Sequence, residues 1–103
     1  MQKEILELHK LIKLKNIDKA YVEAKKLYKS GKKNQDIVKV LAYLHIQKGN
    51  FDSAITVLDD YYKENSAEKD FDYFINMGIA LKSLEEFKSS LSMYEKATEI
   101  NSN

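Results

Sequence analysis

Few side chains in this sequence have the types and spacings that chemistry requires. Its two histidines, His9 and His45, stand in separate stretches, and neither belongs to a His-Glu-x-x-His pattern that sets two imidazoles on one helical face for zinc. His45 falls at a packing position and reads as a core histidine, and His9 reads as lining an inner surface. Ser30-Gly31-Lys32-Lys33 lacks the upstream glycine and following Ser or Thr of a phosphate-binding loop. A helix end explains it better. Asp59-Asp60 and the pair Asp70/Asp72 lack the spacing and central glycine of a calcium loop and read as solvated helix ends. With no nucleophile placed beside a base, the expectation is a protein that is not an enzyme and carries no catalytic, cofactor or metal site.

Composition narrows the class further. The 103 residues contain no Pro, Cys or Trp and only three Gly, with 44% hydrophobic and 32% charged side chains. Such a chain favours helix and is poorly supplied for the tight turns of an all-β fold. Without cysteine there is no disulfide framework, so packing alone must hold the fold. No stretch nears the roughly 18 apolar residues of a membrane span, and Met1 to Glu7 lacks the apolar core of a signal peptide. A cytoplasmic protein with no membrane span is expected. All 17 basic residues are lysine, and without arginine's bidentate fork nucleic acid is not an expected partner. Residues 1–34 carry ten Lys against four acids, net +6, whereas residues 35–103 carry seven Lys against twelve acids, net −5. Opposite-signed ends permit head-to-tail association or are two solvated surfaces.

What could position any site is a repeat. Gly49-Asn50-Phe51-Asp52-Ser53-Ala54 returns upstream as Lys15-Asn16-Ile17-Asp18-Lys19-Ala20 and downstream as Glu85-Glu86-Phe87-Lys88-Ser89-Ser90. The spacing is 34 residues from Ala20 to Ala54 and 36 from Ala54 to Ser90, the range of stacked helical hairpins. Apolar spacings of three and four predict helices at about 3–15, 18–30, 36–48, 52–64, 71–83 and 86–99. Asn16 or Asp18, and Asn34 or Asp36, are candidate N-caps, and Gly31 and Gly49 suit helix C-termini. The polar stretch Glu64 to Asp70 reads as the loop that absorbs the two extra residues. Six helices in three antiparallel hairpins make an all-α fold in which no hairpin buries its face alone, so the units must stack.

These residues resemble the tetratricopeptide repeat family. The third unit carries its pattern in Phe74, Met77, Gly78 and Leu81, then Phe87, Ser90, Tyr94 and Ala97. The second carries it in Val38, Leu41, Ala42 and His45, then Gly49, Phe51, Ala54, Leu58 and Tyr61. The first matches through Ile17, Ala20, Ala24 and Leu27, but places Glu4 and Glu7 where large apolar residues are usual and Leu8 where a small one is. Lys32, Ser66 and Ser102 stand in place of the family's proline. The small residues Ala42 and Gly78 fall where the helices of a hairpin come closest, and Ala20, Ala54 and Ser90 admit the neighbouring helices. The resemblance implies a right-handed α-α superhelix (solenoid), a single domain over 1–103 with repeats at about 1–34, 35–68 and 71–103.

In the family the first helix of each unit lines a concave face that takes a peptide or helix of another protein. Carried over by register, that lining is Gln2, Ile5, His9 and Ile12, then Asp36, Lys39, Tyr43 and Ile46, then Asp72, Ile75, Ile79 and Lys82. A subclass grips acidic chaperone C-termini with a Lys/Asn/Asn/Lys/Arg clamp. The matching positions here are Ile5, His9, Val40, Asp72 and Asn76, which disfavours that ligand and favours a basic amphipathic helix. The leading expectation is therefore a protein-protein interaction scaffold. Ile79, Met93 and Tyr94 are expected to leave an apolar C-terminal end that could support a homo-oligomer. The alternatives are a self-associating structural module, or a targeting or assembly fragment of a larger protein such as a glycosyltransferase.

Overall fold

The computed structural model describes residues 2–31 and 34–101. These form six helices and no strand: α1 (Gln2–Lys13), α2 (Ile17–Lys29), α3 (Gln35–Gln47), α4 (Phe51–Glu64), α5 (Phe71–Ser83) and α6 (Phe87–Ile100). Each predicted helix is present, with ends displaced by no more than two residues. Two kinds of chain reversal explain where the helices stop.

Within each hairpin the reversal takes three residues, and its middle one is left-handed: Lys15 at φ 61°, Gly49 at 79° and Glu85 at 64°. Around it the same two bonds recur. Asn16, Asn50 and Glu86 N–H groups donate to the carbonyls of Leu11, His45 and Leu81 at 2.8, 2.8 and 2.9 Å, and Lys15, Gly49 and Glu85 donate to Ile12, Ile46 and Lys82. This six-to-one, five-to-two pair is the Schellman C-cap, which satisfies the last carbonyls of the helix. Only the middle corner has the glycine that this geometry favours.

The second helix of each hairpin then starts without a side-chain cap. Asn16, Asn50 and Glu86 occupy the N-cap positions, but none accepts a hydrogen bond there. Asn16 and Asp18 are thus not the caps that their residue types suggest, because the Schellman turn already fixes the chain's entry. Between hairpins the connection is longer and a side chain is used. Asn34 Oδ1 accepts from the Ile37 N–H at 2.9 Å, and Asp70 Oδ1 from the Tyr73 N–H at 3.0 Å. Asp36 lies inside the first turn of α3 instead. The two extra residues of the longer period are also shared out: α4 has 14 residues where α2 has 13, and the following connection carries the other. Of the positions that replace the family's proline, Ser66 is left-handed at φ 48°, while Lys32 and Ser102 lie outside the described residues.

Helix α3 is the centre of the molecule, packed against α1, α2, α4 and α5. Accordingly it is apolar nearly all round, burying Ile37, Val38, Val40, Leu41, Ala42, Leu44 and His45. Ala20, Ala54 and Ser90 are all buried, one turn into α2, α4 and α6. Ser90 Oγ donates to the Gly78 carbonyl at 2.7 Å, and the Tyr94 ring lies over Gly78 so closely that an added Cβ would sit 2.9 Å from Tyr94 Cε1. The close approach expected at Gly78 is therefore present, made by the Tyr94 ring of α6. Leu8, at the matching position of α1, is buried in the core instead.

The joints between hairpins differ in chemistry. From α2 to α3, Tyr21 meets His45 edge-on at 5.2 Å, its hydroxyl 3.3 Å from His45 Nδ1, and Asn50 Nδ2 donates to the same hydroxyl at 3.2 Å. From α4 to α5 the joint is aromatic: Tyr62 lies 4.8 Å from Tyr73, and the buried Tyr73 hydroxyl donates to Asp59 at 2.7 Å. Asp59, read from sequence as a solvated helix end, lies inside α4 and is the acceptor of this bond.

Candidate functional site

The inner helices α1, α3 and α5 lie side by side, α3 touching both others. Over them opens a hollow of about 490 Å³ lined by His9 and Ile12 from α1, by Asp36, Lys39, Val40 and Tyr43 from α3, and by Asp72 and Asn76 from α5. Spacings of three, four and seven residues put each set on one side of its helix. The floor is apolar, with Val40 buried and Ile12 half-buried, and Tyr43 rises from it 38% exposed.

Six positions expected to line the concave face, His9, Ile12, Asp36, Lys39, Tyr43 and Asp72, come together in this hollow. Ile46, Ile75, Ile79 and Lys82 do not line it. Ile46 packs half-buried against the core, Ile75 and Ile79 are half-buried along α5, and Lys82 is exposed in its last turn. Helix rotation accounts for α5. Ile75 and Ile79 each follow a lining residue, Asp72 or Asn76, by three positions, which turns them about 60° round the helix. Ile5 belongs to the core and Gln2 is an exposed residue at the start of α1. Val40 and Asn76 line the hollow although they stood outside the expected lining; both occupy chaperone-clamp positions, the signal that pointed to them.

The electrostatics centre on Lys39. Its ammonium donates to Asp70 Oδ2 at 2.5 Å and to Asp72 Oδ2 at 3.3 Å. Burial disfavours the charge, but the Asp70 hydrogen bond and negative charge, aided by Asp72, outweigh it and hold the Lys39 pKa above its ordinary value. Asp70 mirrors this: burial pushes its carboxyl up, yet Lys39, the Tyr73 N–H and the Tyr62 hydroxyl hold it below the ordinary range. Gln35 Nε2 completes the cluster, 3.3 Å from Asp70 Oδ2 and 3.1 Å from the Tyr62 hydroxyl. Asp70 is not the solvated helix end expected from sequence. It caps α5 and ties α3 and α4 to it, a role visible in sequence only as an Asp immediately before a helix.

One cation is therefore held by two carboxylates at the hollow's edge, while Asp36 is exposed on α3 with no ionic partner among the described residues. Among the described residues at the hollow and its edge, three acids, Asp36, Asp70 and Asp72, stand against one lysine, Lys39. The hollow can receive an apolar side chain on its floor and a cation at its rim. The two imidazoles lie apart: His9 is exposed on α1, and His45 is buried on the side of α3 that meets Tyr21 of α2, where burial and then the Lys25 charge hold its pKa below the ordinary value.

Stacked two-helix units whose inner helices share a lined hollow define a helical-repeat interaction module. Residues 11–71 match a tetratricopeptide repeat family model and residues 71–103 match a second one, so the chain belongs to the tetratricopeptide repeat family. Repeats of this family generally mediate protein-protein interaction. Comparison with curated proteins and with solved structures returned no match. Among the described residues no helix is long and apolar enough to cross a membrane.

Proposed function

We propose that the chain is a protein-interaction scaffold whose inner hollow binds an amphipathic helix or peptide bearing Lys or Arg. The observation that carries this reading is the charge state of the rim. Lys39 is already neutralised by Asp70 and Asp72, so Asp36 and the acidic excess are what a ligand meets above the Val40, Ile12 and Tyr43 floor. A peptide with apolar residues at i, i+3 and i+4 and a cation beside them satisfies both parts. An acidic peptide would face two like charges with no free lysine among the described residues that line the hollow.

The test uses a synthetic amphipathic helix carrying lysines along one edge, with a charge-reversed peptide as control, titrated into labelled protein. Amide shifts are expected to gather at His9, Tyr43 and Asn76, with affinity falling about tenfold in Asp36→Lys and in Tyr43→Ala. Equal binding of the acidic peptide, or shifts gathered away from these residues, would overturn the assignment.

A further inference from the structure

We infer that the outer face of α6 is the docking surface for α1 of a second copy of this chain, so that two molecules join head to tail. The internal joints indicate what such a face normally meets. On α2, Tyr21 meets α3 through His45, and on α4, Asp59 and Tyr62 meet α5 through Tyr73. The residues 36 positions after Ile55, Asp59 and Tyr62 are Leu91, Glu95 and Thr98. No helix among the described residues covers them. Tyr21 and Ile55 are half-buried against the core, whereas Leu91, their counterpart on α6, is 59% exposed, and Phe87 beside it is 62% exposed. Met93, Tyr94 and Ile79, the residues expected to be left open, are half-buried instead, Tyr94 because it lies on Gly78. The open apolar surface is thus a preformed helix seat rather than a frayed end.

The opposite end of the stack carries the complementary chemistry. Helix α1 buries Ile5, Leu8 and Leu11 and turns Leu6 outward at 60% exposure, and Leu14, in the corner that follows it, is 67% exposed. Around these leucines stand Lys3, Lys10 and Lys13, all exposed, with Glu7 at the edge. On α6 the exposed charges about the seat are Glu95 and Glu99, with Glu85 and Glu86 at the corner, against Lys88 and Lys96. Lysine-framed leucines therefore face a glutamate-framed Leu91 and Phe87, in line with the +6 and −5 balance of the two parts of the chain. Because the two surfaces differ, the contact is heterologous and repeats from copy to copy instead of closing at two. The residues that line the hollow are not those of either surface, so this association and ligand binding are tested by different variants.

Sedimentation velocity over a rising concentration series tests it. The wild type is expected to grow beyond dimer at low salt and to dissociate as salt is raised. Leu91→Lys should weaken association at least tenfold with helical content unchanged. Lys3→Glu/Lys10→Glu and Glu95→Lys/Glu99→Lys should each remain monomeric alone and associate when mixed, since each then supplies the end that the other lacks. A wild type that stays monomeric throughout would overturn the proposal, as would a Lys3→Glu/Lys10→Glu variant that associates like the wild type, the signature of an α6-to-α6 dimer. Failure of mixing to restore association also refutes the head-to-tail register.

Discussion

Replacing Glu85 by Gly should make the protein more stable although it removes a side chain and adds flexibility. Glu85 holds φ 64° at the α5–α6 corner, where Gly49 holds 79° in the equivalent corner between α3 and α4. A left-handed conformation costs a residue with a Cβ about 1–2 kcal/mol. Glycine relieves that cost but gives back about 0.5–1 kcal/mol through its freer unfolded chain. The net gain expected is about 0.5–1 kcal/mol, or a Tm rise of roughly 2–8 °C for a domain of this size. Nothing lies within 4 Å of a Cβ built on Gly49, so the position is constrained by its dihedral rather than by crowding. The reverse substitution, Gly49→Ala, should accordingly cost about 1 kcal/mol or slightly more. Charge is a minor influence, because Glu85 follows the C-terminus of α5 and precedes the N-terminus of α6, whose dipoles act on it in opposite senses. Glu85→Gln removes the charge and keeps the strain, so it isolates this effect. Thermal unfolding followed by far-ultraviolet circular dichroism is sufficient. If Glu85→Gly lowers Tm, or gains no more than Glu85→Gln, the corner is not strained and the reasoning is wrong.

Three other outcomes are expected. Asp70→Ala should destabilise by about 1–3 kcal/mol in denaturant titration, since it removes the α5 cap and one of Lys39's two acceptors; Asp70→Asn, which keeps a cap acceptor, should lose less. The His45 pKa is lowered in the folded state, so the unfolded chain takes up its proton first, and stability should fall as pH drops below about 6.5 toward the folded value. In His45→Asn that slope should shrink, and an unchanged slope would exclude His45 as its source. Finally, Gly78→Ala and Tyr94→Ala should be coupled by about 1–3 kcal/mol, the alanine at 78 being better tolerated once the ring above it is gone. Additive values in that cycle would mean that the ring moves aside freely.

Much of the architecture is legible in the residues because it rests on local rules. Gly49-Asn50-Phe51 announces a corner through glycine, and the apolar spacing on either side gives the helices. Lys15 and Glu85 hide the same left-handed turn, since nothing in their chemistry favours it and only the flanking helices impose it. The hollow follows a similar division. Register brings His9, Ile12, Asp36, Lys39, Tyr43 and Asp72 to one side of the stack because identical units repeat with nearly identical spacing. It fails for Ile75 and Ile79, because an outermost helix offers the hollow only its near flank, and which flank is near depends on the curvature of the assembled array. Lys39 illustrates the other limit: its partner Asp70 is 31 residues away and reaches it only after α4 has returned.

The two carboxylates on Lys39 are not equivalent, and the difference bears on how the hollow can change occupants. Asp70 is the more enclosed and is fixed by Tyr73, Tyr62 and Gln35, whereas the Asp72 side chain is 60% exposed and has no second tether among the described residues. In the proposed binding mode an arriving cation would recruit Asp72 while Asp70 stays with Lys39, so that no stage of the exchange would leave a charge uncompensated. Asp72 would then serve as a detachable counter-ion: the joint between α3 and α5 would keep its own electroneutrality while the rim lent a charge to the visitor.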